Sequence, residues 1–238
     1  MPTLRLLTYN VRSLRDDNAA LARVIQSVEP HVVCVQEAPR FARWRSKRAA
    51  LARRSGLVVA SGIRDPANML LCSLAVDVLA EHPIALGKLP GDGERFARGA
   101  TLAVLRLGGC RVAVASVHLD LREGSRQRHA AELRAAIAAR IDDDIPVVIA
   151  GDINDDPGST AWQSLERQGR DAWVAAGTGD GFTSTAARPR RRIDAVFVDP
   201  RLRVVSASVP DQPDVRVASD HRPVFAEIEL CAPRQCPA

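Results

Sequence analysis

Aromatic residues are scarce in this chain of 238 residues: they make up 4% of it, with one tyrosine, three tryptophans and five phenylalanines. So thin a supply argues against a base-stacking platform for single strands. The five cysteines are an odd number at no framework spacing, which argues against a disulfide scaffold, although Cys231 and Cys236 could pair if oxidised. Cys34 and Cys72 lie in apolar runs and Cys110 opens one, where a thiol behaves as a small hydrophobe. No zinc-type Cys/His pattern occurs. No apolar run approaches the roughly 18 residues of a membrane helix, and "MPTLRLLTYNV" turns polar too soon for a signal-peptide core. The expectation is a cytoplasmic protein without a membrane span. Solenoid-type repeats and low-complexity segments are absent as well.

What is present is an ordinary globular balance, 46% hydrophobic and 26% charged, long enough for one large domain. Residues 1–230 read as a single domain and 231–238 as a flexible tail. A net charge of +5 favours polyanionic partners without naming one. Its densest source, Arg40 to Arg54 ("RFARWRSKRAALARR"), has helical character and reads either as a phosphate-backbone contact or as a solvated helix face.

Eleven runs of strand length recur, from "LRLLTYNV" through "RVAVASVHL" and "PVVIAGDI" to "PVFAEIEL". Between them "DNAALARVIQSVEP" and "SRQRHAAELRAAIAARI" carry helical spacing. "LGKLPGDGERFARG" and "DDPGSTAW" read as surface connections. The class is α/β. Two segments echo each other: "RLLTYNVRSL", a helix and "PHVVCVQE" parallel "RVAVASVHLDL", a helix and "PVVIAGDIND". Parallel strands joined by a helix point the same way, so Asn10 and Glu37 in one half, His118 and Asp152 in the other, should reach one edge of a sheet. Two facing halves would gather all four.

The polar residues at strand ends are Asn10, Glu37, His118, Asp120, Asp152, Asn154, Asp194, Asp220 and His221. Carboxylate and amide oxygens suit a hard cation, Mg²⁺ or Mn²⁺, better than zinc. Two imidazoles and further carboxylates supply what hydrolysis of a phosphate ester needs, a group to deprotonate water and groups to stabilise developing charge. The arginines of "RPRRRID" fit phosphate oxygens.

In order, "TYNV", "QE", "SVHLD", "GDIND", "RRIDAVFV" and "SDHRPV" resemble the signature blocks of the endonuclease/exonuclease/phosphatase superfamily, over Leu4 to about Leu230. The resemblance implies a deoxyribonuclease I-like, four-layer sandwich of two packed mixed β-sheets flanked by helices, with the site at one end. It implies metal contacts from Glu37, Asn10 beside it, and Asp220. Asp152 would position and deprotonate water, Asn154 would hold a phosphate oxygen or orient Asp152, and His221 would contact the scissile phosphate with Asp194 orienting its ring. His118 would stand near the leaving oxygen. Asn68, Arg98, Thr183 and Asp120 lie at the edge of the pattern and are equally readable as turn or surface residues. Two departures stand out: Arg12 occupies a place where many nucleases of the group carry Asp, and "LLCSL" replaces "LLSR".

The expected activity is divalent-metal-dependent hydrolysis of phosphate esters by a monomer that needs no protein partner, with DNA or RNA as the expected substrate. A small-molecule or lipid phosphate is the alternative. A non-catalytic binding module is a third reading, and every core position it would be expected to lose is filled.

Overall fold

The computed structural model describes residues 1–62, 67–88 and 98–230. The expected loop at 86–99 falls partly, and the tail at 231–238 with Cys231 and Cys236 wholly, outside the described residues.

Among those residues the chain runs through β1 (Thr3–Asn10), α1 (Asn18–Ser27), β2 (Val32–Gln36), α2 (Trp44–Arg54), β3 (Val58–Ser61), β4 (Met69–Cys72), β5 (Val76–Ala85), β6 (Gly99–Leu107) and β7 (Cys110–His118). It continues through α3 (Glu123–Ala138), β8 (Val147–Asp152), α4 (Thr160–Glu166), β9 (Arg170–Asp171), α5 (Ala172–Ala176), β10 (Asp194–Val198), β11 (Arg203–Ser208), α6 (Val215–Ala218) and β12 (Val224–Glu229). One six-stranded sheet has the order β11-β12-β1-β2-β4-β3, the other β5-β6-β7-β8-β10-β9. Both are mixed. The expected echo is real: β1 and β2 are parallel and joined by α1, β7 and β8 are parallel and joined by α3, and the remaining pairings are antiparallel.

Side chains alternate across a strand, and here the alternation separates three apolar layers. Leu4, Leu6, Val32, Cys34, Val112, Val114, Val148, Ala150, Val196 and Ala226 fill the space between the sheets. Leu7, Tyr9, Val33 and Val35 turn outward onto Leu21, Val24 and Ile25 of α1. Ala113, Ala115, Ile149 and Phe197 turn the other way onto Leu133 and Ile137 of α3 and Trp162 of α4. The result is the expected four-layer sandwich.

Each inward series ends in a polar residue. Leu4 and Leu6 continue to Thr8 and Asn10, Val32 and Cys34 to Gln36, Val112 and Val114 to Ser116 and His118, Val148 and Ala150 to Asp152, and Val198 and Val196 back to Asp194. The interior therefore changes from apolar to polar at one end. Gln36 fastens the sheets there: its Nε2 donates to Ser116 Oγ at 3.0 Å, and its Oε1 accepts from Thr8 Oγ1 at 3.2 Å.

All eleven expected strands form, and the two-residue β9 is added. "DDPGSTAW" is a loop only as far as Ser159, whose hydroxyl accepts from Trp162 N and starts α4, burying Trp162. The basic run becomes helical from Trp44. One of its cations, Arg48, is buried and donates to the Pro39 and Gly62 carbonyls.

Candidate active site

Oδ2 of Asp152 is the point on which the polar end converges. Asn10 Nδ2 donates to it at 3.0 Å, His118 Nε2 lies 3.4 Å away and His221 Nε2 3.7 Å away. The other oxygen, Oδ1, accepts from the backbone N–H of Asn154 at 2.9 Å. Strand register explains the convergence, since Asp152 pairs with His118 on β7 and with Asp194 on β10. The close approach of β8 to β7 requires glycine at 151, where a Cβ would lie 1.9 Å from the Val117 carbonyl oxygen. After Asp152 the chain turns through Asn154 in the left-handed region, φ +56°, and its Nδ2 donates to the Leu119 carbonyl at 3.0 Å.

His221 stands between two carboxylates. Its Nδ1 is 2.9 Å from Asp194 Oδ2, and its Nε2 faces Asp152. Burial opposes a charge on the ring, but Asp194, Asp152 and Asp220 together outweigh it and hold the pKa up at about 10. The ring is charged at neutral pH. His118 is the opposite case: burial, followed by the charges of Arg98, His221 and Arg40, drives its pKa well below the usual imidazole range, so this ring is neutral. Its Nδ1 has no hydrogen-bond partner among the described residues. Asp152 is raised to about 7, by burial first and by Asp194 second, against the opposing pull of His221 and the hydrogen bonds from Asn10 and Asn154.

Asn10 joins this centre to Glu37, donating to Oε1 at 3.3 Å. Glu37 follows the last residue of β2 and has a left-handed backbone, φ +49°. The alternation would point it outward; the turn re-aims it toward Asn10. At the rim, Arg12 Nε lies 3.2 Å from Asp220 Oδ2 and Nη1 3.2 Å from Asp16 Oδ1. The cation that stands where an acid was expected is thus paired with the acid of the "SDH" block.

These side chains suit a hard cation. Glu37, Asp152, Asp194 and Asp220 face one charged imidazole and one guanidinium, an excess of negative charge, and the buried Oδ1 of Asp194 has no hydrogen-bond partner among the described residues. Burial, and Asp194 after it, raise the proton affinity of Asp152. Two groupings could hold a cation. Glu37 and Asp152 share the Asn10 amide, and ligand atoms of Asp152, Asp194 and His221 all lie within 4.8 Å of one another.

Of the residues expected from the sequence, Asn10, Glu37, His118, Asp152, Asn154, Asp194 and His221 come together, with Asp220 at the rim. Asp120 accepts from Arg122 N at 2.9 Å in a local turn, and the buried Asn68 donates to the Gly99 carbonyl at 2.7 Å. Thr183 is buried beneath Asp194, its Oγ1 accepting from the Ile193 and Asp194 N–H groups at 3.2 and 3.3 Å. Two supports were not expected from the sequence. One is Gln36 with Ser116; the other is Ser219, whose hydroxyl donates to the Asn10 carbonyl at 2.7 Å and so ties the last loop to β1. A polar residue alternating into an otherwise apolar strand was the available signal for the first. The second had none, since it depends on a contact across 209 positions.

Two facing mixed sheets carry carboxylates and imidazoles on their shared end, the groups of a hydrolytic site. Residues 7–221 match the Endonuclease/Exonuclease/phosphatase family, and the chain belongs to it. Enzymes of this family hydrolyse phosphoesters and depend on a divalent metal. Among solved structures, an endonuclease/exonuclease/phosphatase from Bacteroides vulgatus is similar with a TM-score of 0.81 at 23% identity, covering 97% of this chain and 100% of that one. A mannosyl-6-phosphatase of Bacteroides thetaiotaomicron is similar with a TM-score of 0.78 at 16% identity, covering 96% and 100%. TDP2 of D. rerio, solved with a single-strand DNA product, is similar with a TM-score of 0.73 at 20% identity, covering 96% and 100%. At these identities the likeness is one of fold. No curated protein sequence matches the chain. No helix among the described residues is long and apolar enough to cross a membrane.

Proposed function

We propose that the protein hydrolyses phosphodiester bonds of nucleic acid at the Asp152 centre, with Mg²⁺ or Mn²⁺ bound by Glu37 and Asn10. The observation that carries the reading is the convergence of the His118 and His221 Nε2 atoms and the Asn10 amide on one oxygen of Asp152, with Asp194 on the far nitrogen of His221. A bound cation would supply charge stabilisation for the phosphate oxygens. Glu37 and Asn10 are the better holders because both ring nitrogens of His221 already face carboxylates, Nδ1 at Asp194 and Nε2 at Asp152.

Asp152 accepts the proton of the attacking water, and its raised proton affinity makes it a stronger base than a solvated carboxylate. Asn154 fixes that carboxylate through its backbone N–H. His221, kept charged and oriented by Asp194, donates to a phosphate oxygen as negative charge builds there. Neutral His118 sits on the other side of Asp152 and donates a hydrogen bond near the leaving oxygen. Asp220, held by Arg12, guards the rim. A monomer supplies every one of these groups from one domain.

Nucleic acid is favoured over a small phosphate because cations continue outward from the centre, Arg40 and Arg98 on the side of His118 and the exposed Arg188 and Arg190 of "RPRRRID" on the side of His221. The test is hydrolysis by the purified protein, with Mg²⁺, with Mn²⁺ and with chelator, of duplex and single-stranded DNA, RNA, bis-p-nitrophenyl phosphate and p-nitrophenyl phosphate. Metal-dependent cleavage of polymer is expected. Turnover of the monoester alone would replace this reading with that of a small-molecule phosphatase.

A further inference from the structure

The segment between Thr183 and Arg191 folds back on itself beside the centre. Ser184 N donates to the Arg191 carbonyl at 3.0 Å, and Arg190 N donates to the Ser184 carbonyl at 2.9 Å. The same segment is sewn to the "SDH" block: Ala186 N donates to the Asp220 carbonyl at 2.7 Å, and Arg222 N to the Thr183 carbonyl at 2.7 Å. Ser184 forms β-bridges with both His221 and Arg191. At roughly 4.8 Å per inter-strand spacing, the Arg191 backbone therefore stands about 10 Å from that of His221.

Four arginines follow on this arm, and they are not equivalent. Arg192 is buried against Asp171 at 2.7 Å, with its guanidinium 4.8 Å from the Trp162 ring centre, and belongs to the core. Arg191 is neutralised by both oxygens of Asp156. Arg188 and Arg190 are exposed, and among the described residues neither side chain has a hydrogen-bond or ion-pair partner. The neighbouring acids are already spent: Asp156 on Arg191 and Asp155 on Arg126. The arm thus presents two uncompensated guanidiniums from a backbone fixed to His221.

We propose that Arg188 and Arg190 form a strand-tracking subsite that holds phosphates of a nucleic-acid strand flanking the bond cleaved, on the His221 side. The inference rests on the proposed cleavage at Asp152 and adds to it a substrate class, an extended phosphodiester strand rather than a small ester. Guanidinium forks suit phosphate oxygens, and an extended strand carries further phosphates beyond the one seated at His221.

The experiment compares the wild-type protein with Arg188→Ala/Arg190→Ala and Arg188→Lys/Arg190→Lys. Turnover of bis-p-nitrophenyl phosphate is measured with Mg²⁺. Binding of a short labelled single-stranded oligonucleotide is followed by fluorescence anisotropy with Ca²⁺ in place of Mg²⁺, from about 50 to 200 mM salt. The alanine pair should turn over the small diester as the wild type does. Its oligonucleotide affinity should fall, and the slope of log affinity against log salt should become shallower by about 1.4, or 0.7 per lost phosphate contact. The lysine pair should restore the slope. Wild-type affinity and slope in the alanine pair would overturn the subsite, as would failure of the wild type to bind any oligonucleotide. Absence of small-diester turnover in the wild type would instead remove the proposed catalysis, and the anisotropy slopes would still decide the subsite.

Discussion

Asp152 and Asp194 stand directly opposite one another on β8 and β10, each about 1% exposed. Like charges facing each other across a sheet are destabilising, and here the ring of His221 is the device that makes the pairing tolerable. Its two nitrogens face the two carboxylates. The cluster is a place where stability is given up for chemistry.

The first consequence is a trade-off between stability and turnover. An acid whose pKa is raised to about 7 in the folded state binds more protons folded than unfolded above its ordinary 3.8. Its contribution to the metal-free protein therefore becomes less favourable as pH rises from about 4 to about 7. Asp152→Asn should raise the melting temperature of the metal-free protein at pH 8 while removing most hydrolysis. Thermal melts at pH 5 and pH 8 check this, with the larger gain at pH 8.

For His221 the sign is reversed. A raised imidazole pKa gives stabilisation that is complete below about 6.5 and is lost as pH climbs through about 10. In ¹⁵N-resolved NMR titration of the metal-free protein the ring should stay charged past pH 8. Asp194→Asn should bring its titration down toward neutrality.

Metal affinity should separate two acids that the sequence treats alike. Glu37→Gln should raise the Mg²⁺ concentration needed for half-maximal activity sharply. Asp220→Asn should raise it far less, because Arg12 already occupies that carboxylate. Direct Mn²⁺ titration by electron paramagnetic resonance gives a readout independent of turnover.

The polar fastening between the sheets should be costly to break. Gln36→Ala leaves Ser116 and Thr8 without their partner in a buried setting, a loss of about 1–3 kcal/mol. Urea unfolding of the two proteins measures it.

Much of the fold and site is legible in the sequence because it is local or periodic. The alternation of β1, β7 and β8 reports both the strands and the polar residues that end them, and the helix between parallel strands fixes the direction in which those ends point. Those two patterns suffice to gather Asn10, His118 and Asp152, and the strand end that carries Glu37, at one end of the molecule. Ser159 shows where local patterns stop short, since its role as a helix cap depends on Trp162 finding a pocket against Phe197, their ring centres 5.4 Å apart. The salt bridge of Arg12 with Asp220 and the bond of Ser219 to Asn10 join the two ends of the chain. Neither has a spacing that a sequence displays. The re-aiming of Glu37 by a left-handed backbone is hidden as well, because glutamate is not a residue that announces positive φ.

Asp152 acts as the base in the proposed reaction and His221 as the charged donor to phosphate. The most direct test of both roles is single-turnover cleavage of a labelled oligonucleotide at saturating Mg²⁺ by the wild type, Asp152→Asn and His221→Ala, each shown to be folded by circular dichroism. Both variants should cleave slower by a factor on the order of 10² to 10⁴. Near-normal cleavage by either folded variant would contradict the assignment and move the chemistry elsewhere.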